Sequence, residues 1–153
     1  MNKRIVPRWQ SLGFKLLVLV LAMSGFAQMP IFKRYYIADI PGLGWLAQFY
    51  TTHIVHYIAA IIFLAVIFYY LSRYFLEWNK IYHLRLSAWP RLSLFTIIII
   101  TGALRVAKNL PDVHFGPTTT MLLDWIHLFA VIVLGLTALI TWLARRSPYL
   151  LSR

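Results

Sequence analysis

Four long apolar stretches constrain the fold of this chain more than any other feature. They cover residues 12–32, 49–71, 92–110 and 119–143. Each is close to the roughly 20 residues that a helix needs to cross the hydrocarbon core of a bilayer. Together they take more than half of the 153 residues, of which 61% are hydrophobic and only 12% charged. The sequence therefore predicts an all-α integral membrane protein, a single domain (1–153) built as a four-helix transmembrane bundle.

The basic residues predict the orientation of these spans, because Lys and Arg accumulate on the cytoplasmic side of a membrane. In a water-soluble protein the formal net charge of +11 would suggest nucleic acid, but here it follows topology and we expect no nucleic-acid partner. Eleven basic residues fall on one side of the predicted membrane: Lys3, Arg4, Arg8, Lys15, Arg73, Lys80, Arg85, Arg91, Arg145, Arg146 and Arg153. Four fall on the other side: Lys33, Arg34, Arg105 and Lys108. We therefore expect both termini in the cytoplasm and a multi-pass protein of the bacterial inner membrane.

The first apolar stretch allows a second interpretation. Basic residues precede it, and Gly25 and Ala27 have the small-residue spacing of a signal-peptide cleavage site. A cleaved signal peptide would leave three spans and place the termini on opposite faces. The charge distribution fits four spans better.

Two histidines lie inside the apolar stretches near the same predicted membrane face. His56 and His127 each fall roughly seven residues, or about 10 Å, from the outer end of a helix, and spans two and four run in the same direction. An imidazole in hydrocarbon is costly and usually needs a partner. A haem iron takes one axial ligand from each side of the ring. The pair therefore indicates either a haem with two histidine ligands or two unrelated buried histidines, each bonded to a serine, threonine or backbone carbonyl.

Small residues accompany both histidines. Ala59 and Ala130 each follow a histidine by three positions, which places them on the same helix face one turn deeper. Small side chains there would let a flat macrocycle approach the helix backbone. The chain has no cysteine, which excludes thiolate-bound iron–sulfur clusters and the covalent attachment of c-type haem. Any haem would therefore be a non-covalently held haem b.

Further polar residues lie near the outer ends of the same helices. His53 and Asp124 precede the two histidines by three residues. They would exchange protons with a quinone, bond a haem propionate, or sit in interfacial water. His53 is also an alternative ligand in place of His56. Arg105 and Lys108 would either neutralise propionates or extend to the lipid headgroups.

With these residues, the chain resembles the four-helix cytochrome b subunits of respiratory formate dehydrogenases and of related hydrogenases and sulfur-compound reductases. Ser24-Gly25 and Thr101-Gly102 match the family's Ser/Thr-Gly steps in spans one and three. His56 matches the family's ligand in span two, and His127 matches the first of its ligands in span four. In that family these two histidines bind the haem nearer the outer face. The resemblance covers almost the whole chain.

The resemblance also exposes a difference in haem content. The family usually carries a second, inner haem, and the positions corresponding to its ligands are about Ser11 and Thr141 in this chain. Neither residue type binds haem iron in ordinary practice. The resemblance therefore implies a single haem b on the outer side.

As a member of such a family, the chain would link the quinone pool to a redox partner on the periplasmic face. The partner would be an iron–sulfur protein, a multihaem cytochrome or a catalytic subunit, and Asp39 and Asp112 lie on the predicted docking loops. The chain would then be an electron-transfer subunit of a respiratory complex and not a stand-alone enzyme, with a quinone as a further candidate ligand. The alternative is a cofactor-free membrane anchor or assembly subunit, since degenerate members of redox families can keep the bundle after losing ligands.

Overall fold

Four long helices make up most of the protein. The structure, a computed structural model, describes residues 6–29, 34–144 and 150–152. Its long helices are α1 (Arg8–Ala27), α2 (Phe49–Leu76), α3 (Trp89–Ala107) and α4 (Pro117–Leu143). All four lie in helical segments long and apolar enough to cross a membrane. The predicted all-α class is confirmed. The four candidate membrane-spanning helices indicate a multi-pass membrane protein.

The first two helices differ from the predicted spans at their ends. α1 begins at Arg8, directly after Pro7, and ends at Ala27. Residues 28 and 29 of the predicted span form a turn instead, in which the Met29 N–H donates to the Phe26 carbonyl at 3.0 Å. α2 continues five residues past its predicted end, to Leu76. No glycine or proline interrupts this extension, and a basic residue in the last turn, Arg73, is favourable beside the helix C-terminus.

The last two helices each begin with a proline in the first turn. Pro90 lies in the first turn of α3, and Pro117 is the first residue of α4. Proline is favoured there because its fixed φ suits a helix and its missing N–H would have had no partner inside the helix. Both helices therefore begin two or three residues before the predicted spans. α3 ends at Ala107 and is followed by a turn over the last predicted residues.

Short elements lie between the long helices and after the last of them. In the described part of the chain, four 3₁₀ helices cover Ile37–Asp39, Gly44–Ala47, Trp78–Lys80 and Leu86–Ala88. Strands β1 (Tyr82–Leu84) and β2 (Leu150–Ser152) pair in antiparallel register, with His83 opposite Leu151.

The chain divides into two compact units, Met1–Leu76 and Glu77–Arg153, here called unit 1 and unit 2. In unit 1, α1 packs against α2. Three side-chain pairs join these helices at successive levels: Gln10 with Tyr70, Phe14 with Phe63, and Ser24 with His56. The position on α2 falls as the position on α1 rises, so the two helices are antiparallel. These contacts make α1 an integral part of unit 1.

Unit 2 contains a second antiparallel hairpin, formed by α3 and α4. Its helices are joined by Arg91 with Thr137, Thr101 with His127, and Arg105 with Asp124. Arg91, which directly precedes the predicted span 92–110, lies in the first turn of α3 and is only 6% exposed. Its Nη2 donates to the Thr137 carbonyl at 3.2 Å. The early start of α3 draws this side chain into the hairpin.

The predicted orientation of the termini depends partly on residues outside the described ranges. Lys3, Arg4, Lys33, Arg145, Arg146 and Arg153 lie outside them. Lys15 lies within α1 and not before it. The cytoplasmic position of both termini stays a prediction.

Candidate functional site

The first candidate site in unit 1 is built around His56. The ring lies across the hairpin from Ser24, with 3.0 Å between its Nδ1 and the Ser24 Oγ. Ser24 is fully buried, while His56 is half-buried. Its hydroxyl lies 2.7 Å from the carbonyl oxygen of Val20, one turn earlier on α1. Ser24 therefore contacts the imidazole and its own helix backbone at once.

Unit 2 repeats this arrangement around His127. Here 2.9 Å separates Nδ1 from the Thr101 Oγ1, and the Thr101 hydroxyl lies 2.7 Å from the Ile97 carbonyl oxygen. Thr101 is 6% exposed. The same contacts therefore occur twice, once in each hairpin, with serine exchanged for threonine.

The hydrogen-bond geometry favours one tautomer for both imidazoles. A hydroxyl has a single proton, and two oxygen atoms 2.7 Å apart require a proton between them. Ser24 and Thr101 therefore donate to the Val20 and Ile97 carbonyls. Each hydroxyl oxygen then accepts the hydrogen bond, so the imidazole Nδ1–H is the donor. In a neutral ring this places a lone pair on Nε2, the form in which histidine binds a metal.

A glycine follows each hydroxyl residue and makes room for the ring. A Cβ added at Gly25 would lie 3.2 Å from the Cε1 of His56, and one added at Gly102 would lie 3.4 Å from the Cε1 of His127. Each imidazole edge thus packs directly on a helix backbone. The Ser/Thr-Gly steps identified in the sequence therefore have a physical role: the hydroxyl bonds the ring and the glycine admits it.

The predicted alanines occupy equivalent positions on the histidine-bearing helices. Ala59 is 5% exposed and Ala130 is 3% exposed, which makes them two of the few buried apolar residues. We call Ser24, Gly25, His56 and Ala59 the first histidine cluster, and Thr101, Gly102, His127 and Ala130 the second histidine cluster. The correspondence between the two hairpins therefore includes all four members of each cluster.

The depth of the two histidines along their helices is less equal than predicted. His56 lies seven residues after the start of α2, as expected, whereas His127 lies ten residues after the start of α4. Two of the three residues of difference arise because Pro117 starts α4 earlier than the predicted span, and the third was already present in the predicted spans. At 1.5 Å per residue, the three additional residues correspond to about 4.5 Å of helix.

His53 lies in a different environment from His56. Its ring lies between two aromatic side chains, with centroid distances of 5.4 Å to Phe49 and 4.3 Å to Tyr57. Its Nδ1 is buried, and no described residue hydrogen-bonds it. Metal-bound histidines almost always donate their second nitrogen to an oxygen partner. The Ser24 bond therefore favours His56 over His53 as the ligand.

Asp124, Arg105 and Lys108 come together at one end of unit 2. The Nε of Arg105 lies 2.7 Å from the Asp124 Oδ1, and the Lys108 Nζ lies 3.9 Å from the same oxygen. The close Arg105–Asp124 contact is an ion pair whose alignment falls outside hydrogen-bond geometry. With two cations and one carboxylate, the group carries a net positive charge. Asp124 precedes His127 by three residues, so this charge lies about one turn from the candidate ligand.

The remaining histidines and the two inner positions are not members of these clusters. His83 and His114 are exposed. Ser11 lies in the first turn of α1, where its N–H donates to the Pro7 carbonyl. The Thr141 hydroxyl donates within its own helix, 2.9 Å from the Thr137 carbonyl. Among the described residues, no group of three or more His, Asp or Glu side chains is placed to hold a metal ion.

The hydroxyl bonds also bear on the less specific interpretation of the histidines. Two unrelated buried histidines were expected to bond a serine, threonine or carbonyl, and both histidines do bond a hydroxyl. If the two histidines were unrelated, however, there would be no reason for the same hydroxyl contact, the same adjacent glycine and the same buried alanine to occur in both units. The repetition favours a shared role for the two rings.

Comparison with known proteins adds no relative to this description. No protein-family model matches the chain, and no curated protein or solved structure matches it significantly.

Proposed function

We propose that this protein is a haem-b-containing electron-transfer subunit of the bacterial inner membrane. It would link the quinone pool to a redox partner on the periplasmic face, as the resemblance to respiratory cytochrome b subunits implies. The observation that carries the proposal is the repeated histidine cluster: two imidazoles, each with its Nδ1 within hydrogen-bond distance of a buried hydroxyl, at 3.0 Å for His56 and 2.9 Å for His127. Two neutral nitrogen donors are a suitable ligand set for a b-type haem.

The side chains of both clusters suit this role. His56 and His127 would supply the axial nitrogens, and Gly25 and Gly102 keep the ring edges close to the helix backbone. Ala59 and Ala130 would leave space beside the macrocycle. The net positive group of Arg105, Lys108 and Asp124 would attract the haem propionates. When bound, haem b supplies a carrier of one electron; the chain supplies ligands, orientation and an apolar surrounding.

Partner and quinone binding are further parts of the proposal. Asp39 and Asp112 are exposed in their loops, as a docking surface requires. His53 and Asp124 remain the candidates for proton exchange with a quinone. The four-helix bundle with both termini in the cytoplasm would place these residues toward the periplasm.

A second candidate function has its own supporting observation. The Ser24–His56 and Thr101–His127 bonds join the helices of each hairpin whether or not a cofactor binds. A cofactor-free membrane anchor or assembly subunit would therefore keep these residues for packing alone.

A reduced-minus-oxidised absorbance spectrum with haem quantified per chain distinguishes the two functions. The full-length protein is purified after expression with ample haem. We expect one haem b per chain, lost in both His56→Ala and His127→Ala, because each variant removes one axial ligand. His83→Ala and His114→Ala, which alter exposed histidines, should retain it.

Other results would change the assignment in defined ways. Loss of haem in His53→Ala with retention in His56→Ala would move the unit 1 ligand to His53. Two haems per chain would contradict the interpretation of Ser11 and Thr141. A wild-type chain without haem would contradict the electron-transfer function and leave the anchor function.

A further inference from the structure

We infer that Ser24 and Thr101 are positioning residues that fix the tautomer of both axial histidines and thereby set the redox potential of the haem. The inference rests on the proposed haem site, and it assigns a role to two hydroxyls that bind neither the iron nor the macrocycle.

The hydroxyls are held as acceptors by their own helices. The 2.7 Å contacts from Ser24 to the Val20 carbonyl and from Thr101 to the Ile97 carbonyl use the single hydroxyl proton. Rotation toward the imidazole would give up that bond to an adjacent backbone carbonyl. Because the two residues are 0% and 6% exposed, water does not replace either contact. Each oxygen therefore presents only lone pairs to Nδ1.

An acceptor fixed in this way selects one form of the histidine. Nδ1 must carry the proton to reach the oxygen at 3.0 Å in unit 1 and at 2.9 Å in unit 2. Nε2 is then the nitrogen with the lone pair, and the ring plane is held by the bond. Without the hydroxyl, the alternative tautomer, with its proton on Nε2, has no metal-binding lone pair on that nitrogen.

The same bond influences the potential. An acceptor on Nδ1–H raises the basicity of the imidazole, which stabilises the more positive ferric iron more than the ferrous iron. A neutral hydroxyl does this less strongly than a carboxylate would. Removing the acceptor should therefore raise the midpoint potential. For each tenfold greater loss of affinity for ferric than for ferrous haem, the one-electron potential rises by about 59 mV.

The first experiment is a redox titration of the full-length haem protein and of Ser24→Ala and Thr101→Val. Both variants should have a higher midpoint potential, and their haem affinity should fall by roughly 10–100-fold, as for other partners of metal ligands. Ser24→Thr and Thr101→Ser, which exchange the hydroxyl residues of the two units, should stay near the wild-type potential.

The chain provides matched controls for the loss of a hydroxyl. The Thr52 residue is fully buried in unit 1, and among the described residues its hydroxyl bonds two backbone carbonyls, that of Phe49 at 2.9 Å and that of Gln48 at 3.2 Å. The Thr96 hydroxyl on α3 bonds the Leu92 carbonyl at 3.0 Å. Thr52→Val and Thr96→Val should leave the potential unchanged. A shift as large in the controls as in Ser24→Ala would overturn the assignment.

A second measurement tests the tautomer without haem. In protein prepared without haem and labelled with ¹⁵N-histidine, nuclear magnetic resonance should show His56 and His127 protonated on Nδ1, with the proton moving toward Nε2 in Ser24→Ala and Thr101→Val. Protonation on Nε2 in the wild type would overturn the inference, even where the variants do not fold.

The two proposals fail in different ways. A wild-type chain that binds no haem contradicts the proposed function. It also contradicts the role of Ser24 and Thr101 in setting the redox potential of a haem. A wild-type chain that binds haem, with variants that keep both its potential and its tautomer, contradicts the role of the hydroxyls alone.

Discussion

At the scale of single residues, the glycine positions beside the histidines leave little room for a larger side chain. The Cβ of an alanine at Gly25 would lie 3.2 Å from the His56 ring, which is closer than ordinary van der Waals contact. At Gly102 the corresponding distance is 3.4 Å, at the edge of ordinary contact. The two positions are therefore chemically alike but differ in how far the ring must move.

We expect Gly25→Ala to weaken haem binding more than Gly102→Ala. A displaced His56 ring would lose alignment with the Ser24 hydroxyl, with a loss of roughly tenfold in affinity, at the low end of the range for residues that orient metal ligands. Titration of the haem-free protein with haem measures the difference.

Gly13→Ala and Gly135→Ala are the controls for this pair, because neither added Cβ would meet an atom within 4 Å. They should keep haem affinity and stabilise their helices slightly, by roughly 0.5–1 kcal/mol. Equal losses at Gly25 and Gly13 would show that helix propensity, and not contact with the ring, controls binding.

Residue identity, but not residue contact, was accessible from the sequence. His56, His127 and their alanines are identifiable because imidazoles interrupt apolar stretches at helical spacing. The hydroxyl contacts required the register of one helix against another, which no local pattern encodes. The ion pair of Asp124 with Arg105, at 2.7 Å, was likewise not predicted from the sequence.

At the scale of elements, unit 1 is held along one face of α2. His56, Phe63 and Tyr70 are spaced seven residues apart, and each contacts α1. Seven-residue spacing keeps side chains on one side of a helix that packs nearly antiparallel to its neighbour. Phe63 is the most apolar of these contacts: it is 6% exposed, and its ring stacks on Phe14 with centroids 5.9 Å apart.

Phe63→Ala should therefore weaken the α1–α2 hairpin by about 1 kcal/mol, the usual contribution of an aromatic pair. Lipid is as apolar as the lost side chain, so packing and not water exclusion sets the cost. Reversible unfolding in mixed detergent micelles measures it. Phe68→Ala, on the same helix but 62% exposed, should have little effect. Equal destabilisation by both variants would contradict a specific ring contact.

The ends of the elements were less predictable than their centres. Apolar length identified all four helices, but the prolines that start α3 and α4 and the uninterrupted extension of α2 moved their boundaries by two to five residues. The β1–β2 pair was not predicted, because three-residue strands are too short to show an alternating pattern. Arg91 is a buried residue of the hairpin because α3 starts early enough to include it.

At the scale of the whole molecule, the charge pattern predicts which loops face which compartment. Lys80 is exposed in the segment between α2 and α3, on the side with eleven basic residues. Pro41 and Asp112 are exposed in the segments before α2 and before α4. If the positive side is cytoplasmic, Pro41 and Asp112 lie in the periplasm. The N-terminal ends of α2 and α4, which are the ends nearer to His56 and His127, then face the periplasm as well.

Single cysteines test this topology cleanly, because the chain contains no cysteine of its own. We expect Pro41→Cys and Asp112→Cys to react with a membrane-impermeant maleimide added to intact cells after the outer membrane is permeabilised. Lys80→Cys should react only after the inner membrane is also opened. All three positions are exposed, so reactivity depends on compartment and not on burial. Labelling of Pro41→Cys on the same side as Lys80→Cys would contradict α2 as a span. Labelling of Lys80→Cys alone in intact cells would invert the topology and place the histidines toward the cytoplasm, where the proposed periplasmic redox partner would have no access to the proposed haem.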